Sequence, residues 1–307
     1  MWNELAIWHQ TDPFNRHSII ADKVLIEVRA DNAMKMKLYT DRHLPASHRV
    51  RKGGMAAWSG MLAALLLCLS VWPALGADTT DGDMLAREML LRADRIRFPE
   101  GGFQVDVAIT TTQPDTAPDV RAYRIISKGN SHTLVQTTAP AVDRNQILLM
   151  RDRDLWAFLP NLSQPIRLPL SQRLTGQVAN GDLARANFVG DYEPKILRKE
   201  KVEGETYHVL QLDALDKWIT YRRVLYWVNV RSGRPYKAEF YALSGRLLKT
   251  AYYQAFDELG GETRPTRLLV EDALRKGHTS LLEYSNMAER DLPDKIFTKD
   301  YLKKLSR

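Results

Sequence analysis

From Phe103 onward the chain alternates. In "FQVDVAIT", Phe103, Val105, Val107 and Ile109 interleave with Gln104, Asp106 and Thr110, the period of two that belongs to a half-buried strand. Similar stretches follow at "AYRIIS", "HTLVQT", "QILLM", "LWAFL" and "PIRL". After a break come "TYHVLQL", "RVLYWVNV", "PYKAEFYA", "RLLKTAYYQAF", "TRLLVED" and "HTSLLEYS". Short turn signals separate many of them, such as Lys128-Gly129-Asn130, Leu243-Ser244-Gly245 and Gly260-Gly261. Many strands joined by tight turns predict one antiparallel sheet built from hairpins, not a βαβ array.

Several strands are apolar on both faces. In "LWAFL", Trp156 and Phe158 share one side while Leu155, Ala157 and Leu159 share the other. In "RVLYWVNV", Val224, Tyr226, Val228 and Val230 oppose Leu225 and Trp227. Apolar surface beyond one core face must be covered by protein or held for a ligand. Two coverings fit the sequence: the opening helix together with the 169–197 segment, or an acyl chain.

Helical spacing occurs in three places. "DGDMLAREMLLRADRIRFP" carries Leu85, Met89, Ala93 and Ile96 on one stripe, with Asp81 or Asp83 as N-cap and Pro99 as a stop. The break from Pro169 to Leu197 is polar, loopy and weakly helical, with Asn180 or Asp182 as a cap; so placed, it would cover one side of the sheet. The closing "FTKDYLKKLSR" offers Thr298 as cap of a short basic helix.

Ahead of these elements, residues 55–72 are an uncharged apolar run preceded by Arg49, Arg51 and Lys52 and followed by "PALGAD". Basic flank, apolar run and small residues Ala74 and Gly76 predict a signal peptide over 55–77, cleaved after Gly76 or Ala77, and hence a periplasmic protein; the alternative is an uncleaved membrane anchor, since the run nearly spans a bilayer. Residues 1–54 read as an over-extended start or basic n-region without a fold of its own, and 78–307 as one domain.

Composition narrows the chemistry. The single cysteine, Cys68, lies inside the apolar run, so the domain has neither a disulfide nor a multi-cysteine metal site. The formal charge of +7 is spread along the chain without a dense basic block, and no nucleic-acid partner is expected. No G-x-S-x-G, H-E-x-x-H, P-loop or dinucleotide fingerprint occurs. His132, His208 and His278 fall in separate strands, and the "RDRD" carboxylates Asp152 and Asp154 belong to a charged turn. The chain is read as a non-enzyme that needs no cofactor and no metal.

The order of helix, sheet, "DLWAFLP", polar break, "YRRVLYWVNVRSGRPYKAEFYALSGRLLKT" and final "IFTKDYLKKL" resembles the LolA-like outer-membrane lipoprotein-sorting proteins, in particular their largely uncharacterised periplasmic branch. The resemblance covers 78–307. It implies a mainly β fold with covering helices (α+β): a curved, antiparallel, unclosed half-barrel with a helical lid, LolA/LolB-like. It also implies a carrier of lipoprotein acyl chains or another lipid cargo, meeting an inner-membrane transporter or an outer-membrane acceptor. The alternative is a lipid-sensing interaction module resembling RseB-type regulators. On the carrier reading the candidate cavity residues are Leu149, Trp156, Phe158, Leu225 and Trp227, one face of their strands being assigned inward.

Overall fold

The structure, a computed structural model, describes residues 77–129 and 131–305; apart from Ala77, the expected signal peptide and preface lie outside these residues. Helix α1 (Ala77–Arg97) is followed by β1 (Gly102–Thr112), β2 (Asp119–Lys128), β3 (His132–Ala139), β4 (Ile147–Arg151), β5 (Asp154–Phe158) and β6 (Ile166–Leu168). A small insert holds β7 (Arg173–Thr175), β8 (Val178–Ala179) and α2 (Asn180–Ala184). Then come β9 (Tyr192–Val202), β10 (Glu205–Ala214), β11 (Arg223–Asn229), β12 (Pro235–Tyr241), β13 (Leu247–Leu259), β14 (Glu262–Asp272), β15 (Thr279–Glu289) and α3 (Lys299–Leu305).

Thirteen strands form one antiparallel sheet in the order β6-β5-β4-β3-β2-β1-β15-β14-β13-β12-β11-β10-β9. Every neighbour is also a neighbour in sequence except one. That exception, β1 against β15, joins the first meander to the second, with Val107 opposite Tyr284 and Ile109 opposite Leu282. Strands β6 and β9 are the two edges, so the curved sheet stays unclosed. All twelve expected strands are present, but β9 is an addition. Its "YEPKILRKEKV" is mostly charged and little buried, as befits an edge strand that must not recruit another chain, and it falls partly in the expected loop.

The inner face of the sheet and α1 make the main core, where Val105, Val107, Ile109, Leu210, Val224 and Tyr226 surround Ala86, Leu90 and Ala93 of the helix. The buried stripe of α1 is rotated from the expected one. Ala86 is fully buried and Leu85 is 43% exposed, because the helix lies close against β9 and β14 and a small residue suits that approach. The same stripe continues through Asp94 and Arg97, 3% and 8% exposed. At the end of α1, buried Arg264 of β14 donates to the carbonyls of Arg95 (2.6 Å) and Ile96 (3.3 Å), satisfying groups the helix leaves unpaired.

The outer face near β3–β5 carries a second core. Leu134, Ile147, Leu149 and Phe158 pack with Phe297 and Leu302 from the C-terminal segment. As expected, Thr298 caps α3, its Oγ1 accepting from the Tyr301 N–H at 3.3 Å. The "RDRD" turn is a tight hairpin with Asp152 at φ +56°.

Candidate functional site

The segment between β6 and β9 folds over the inner face of the sheet as a roof, with Leu183, Ala184 and Phe188 joining the main core. Its attachments are polar and buried. Asp94 of α1 accepts from the backbone N–H groups of Phe188 (2.7 Å) and Val189 (2.8 Å). Arg97 donates to Asp94 at 3.0 Å and to the Ala186 carbonyl at 2.6 Å, and its guanidinium lies 4.8 Å from the Phe188 ring centre. Burial pushes the Asp94 carboxyl up, while Arg97 and the two N–H groups oppose that shift.

A second, half-buried group holds α2. Asp182 pairs with Lys249 of β13, accepts from the Ala179 N–H at 2.7 Å and accepts from the Tyr221 hydroxyl at 2.8 Å. Burial and the adjacent carboxylate drive the Tyr221 phenol well above its ordinary value. Gly181 permits the docking, since a Cβ there would meet Thr220 Oγ1 at 2.0 Å. Arg185 closes the segment on itself through Asp191, at 2.5 and 2.6 Å.

Beneath the roof is a cavity of about 50 Å³ lined by Arg97, Phe188, Tyr221, Lys249, Val270 and Leu282 among others. It has room for a few waters and no more. Outside the roof lies a much larger cleft of about 720 Å³, walled by Leu168, Pro169, Leu170, Trp218, Ile219, Leu243 and Leu248 and edged by Arg153, Arg167, Lys217 and Arg222. Ile219 and Thr220 line both spaces and form the partition. Trp218 has the guanidinium groups of Arg185 and Arg153 at 4.7 and 5.4 Å from its ring centre. Its buried Nε1–H has no hydrogen-bond partner among the described residues.

A LolA superfamily protein from Nitrosomonas europaea shares 59% identity with the chain, over 70% of this chain and 98% of that one, with a TM-score of 0.68. This chain belongs to the LolA superfamily. A family model described as an uncharacterized protein matches residues 129–304. A domain named for outer-membrane lipoprotein sorting, from Vibrio parahaemolyticus, has the same fold at 22% identity and TM-score 0.62, over 73% of this chain and 99% of that one. So does a DUF1329 family protein from Desulfovibrio piger, at 19% identity and TM-score 0.62, over 72% and 99%. No curated protein matches the chain.

In this LolA-superfamily chain the five expected cavity residues lie on the other face of their strands, which corrects the assignment. Leu149 and Phe158 are sealed in the outer core with Trp156 packed against it, and the Lys299 ammonium sits 3.8 Å from the Trp156 ring centre. Trp227 is 2% exposed beneath Lys237 and Arg198, at 3.8 and 5.7 Å. Leu225 lines a surface depression of about 350 Å³ with Leu197, Tyr241 and Leu243. None of the five lines the roofed cavity. Alternation tells which residues share a face; for Leu149, Trp156 and Phe158 a covering from the C-terminal segment takes up the outward face.

The groups that hold the roof were missed. Asp94 and Arg97 did leave a signal, being charged residues in register with Ala86, Leu90 and Ala93. The partnership of Lys249 with Asp182 spans 67 residues and left none. Among the described residues no cluster of three His, Cys, Asp or Glu side chains could hold a metal, and no helix is long and apolar enough to cross a membrane.

Proposed function

We propose that the protein is a periplasmic carrier that shields acyl chains of a lipid or lipoprotein inside the unclosed sheet. The observation that carries this reading is the roof. An apolar inner face is covered by a segment with little regular structure, held by a few buried polar contacts and adjoining a wide apolar cleft at Trp218 and Leu243. Sorting of lipoproteins to the outer membrane is the role for which the Vibrio relative is named, and it fits a site of this kind.

The physics needs no catalytic group. Each buried methylene of an acyl chain contributes about 0.8 kcal/mol. The roofed cavity of about 50 Å³ is too small for such a chain, so loading requires the roof to move. In the closed form Phe188, Leu183 and Ile219 cover the surface that cargo would cover. Exchange of these side chains for an acyl chain keeps the difference between empty and loaded states small, which a carrier requires in order to release.

Native mass spectrometry of protein purified from a membrane-containing extract tests the reading. Added masses that fragment to acyl-bearing species are expected. A uniformly ligand-free mass, unchanged after incubation with lipid extract, would overturn it.

A further inference from the structure

Building on the carrier reading, we propose that the cleft selects cargo with an anionic head group, a phosphate or a carboxylate, held by Lys217 and Arg222. The cleft is chemically two-sided. Its wall is apolar, with Leu170 and Ile219 buried and Leu243 left 84% exposed. Its rim carries Arg153, Arg167, Lys217 and Arg222 against one carboxylate, Asp216.

That carboxylate is already engaged, with Arg153 at 3.3 Å and the Lys217 backbone N–H at 2.6 Å. Arg167 is paired with Asp154. Lys217 and Arg222 are different. Neither forms an ion pair among the described residues, and Arg222 commits Nη1 to the Ala214 carbonyl at 3.0 Å, leaving other donors for an acceptor from outside. An acyl chain held inside the sheet and leaving it past Ile219 and Thr220, which line both spaces, would run out along Leu248 and Trp218 and leave its head at the water boundary, beside these two cations. A guanidinium and an ammonium there supply charge-assisted hydrogen bonds that a phosphate or carboxylate can accept and an uncharged alcohol answers only weakly.

The test titrates the purified protein by calorimetry with four single-chain probes below their micelle concentrations. These are dodecanoate, lauroyl lysophosphatidylglycerol, uncharged dodecanol and zwitterionic lauroyl lysophosphatidylcholine. Both anionic probes, or whichever of carboxylate and phosphate is the true head, should bind about tenfold tighter than dodecanol at low salt. That advantage should shrink as salt rises. The double variant Lys217→Ala/Arg222→Ala alters exposed side chains, so it should fold normally, lose the advantage and bind dodecanol unchanged. Equal affinity for anionic and uncharged probes, or a preference that survives the double variant, overturns the head-group inference while leaving the carrier reading intact. Absence of binding by all four probes sinks the carrier reading, and this inference falls with it.

Discussion

Arg97 and Asp94 form an ion pair inside the core, Nη1 to Oδ1 at 3.0 Å, with the side chains 9% and 4% exposed. The pair sits on the inward stripe of α1, and each partner also binds backbone of the roof, Ala186 from Arg97 and Phe188 and Val189 from Asp94. One turn of helix thus ties the core to the element that must move if cargo enters.

Removing one member should be costly. Asp94→Ala leaves a buried guanidinium uncompensated, with an expected loss of about 3–5 kcal/mol in denaturant unfolding. Hydrogen exchange at residues 186–189 should rise by more than at β1 or β15. An unaltered exchange pattern in a folded variant would show that the pair does not hold the roof.

Gly181 against Thr220 offers a gentler lever. Gly181→Ala forces a methyl into the Thr220 side chain, an overpacking expected to cost about 1–3 kcal/mol and to lift α2. Thr220→Gly in the same chain should restore most of the loss. If the second change restores nothing, the contact is not what seats α2.

Trp156 now has a definite expectation. It packs on the outer core beneath Lys299, so Trp156→Asp should lower stability by about 2–3 kcal/mol. Lipid binding per folded molecule should remain unchanged. Loss of binding with stability intact would return Trp156 to the cavity.

The seam between the two meanders should be acid-sensitive. Asp106 of β1 accepts from Arg124 of β2 at 2.7 and 3.1 Å and from Asn286 of β15 at 3.1 Å. The Arg124 hydrogen bond, with Asn286, holds its carboxyl below the usual range. A carboxylate whose pKa falls on folding favours the fold above its unfolded value, about 3.9. That contribution fades as pH drops through the lower folded value. Because the pair is partly exposed, about 0.5–1 kcal/mol is expected. Asp106→Asn should lose that much at pH 7 and show a shallower fall in stability below pH 4. Parallel curves for the two proteins would count against the assignment.

Much of this fold was legible in the sequence because its information is local. Alternation in "FQVDVAIT" and "RVLYWVNV", turn residues between the strands, and Thr298 before the last helix each act over a few residues. Strand β9 escaped because an edge strand keeps its charges, and "KILRKEKV" has no apolar face to announce it. The buried stripe of α1 was one position off because Leu85 and Ala86 are both apolar, and only the closeness of β9 chose the smaller.

The sequence by itself determined which residues share a face, that the elements are strands in hairpins, and that no recognised catalytic motif is present. The tertiary structure alone decided which face turns inward. A strand with two apolar faces satisfies the period of two in either orientation. The choice falls to long-range partners: α1 and the roof on the inner side, the Phe297–Leu302 segment on the outer. Likewise Lys249 and Asp182 are ordinary charged residues in sequence, and only the curvature of the sheet, which buries Lys249 and half-buries Asp182 beside Tyr221, makes them a clasp.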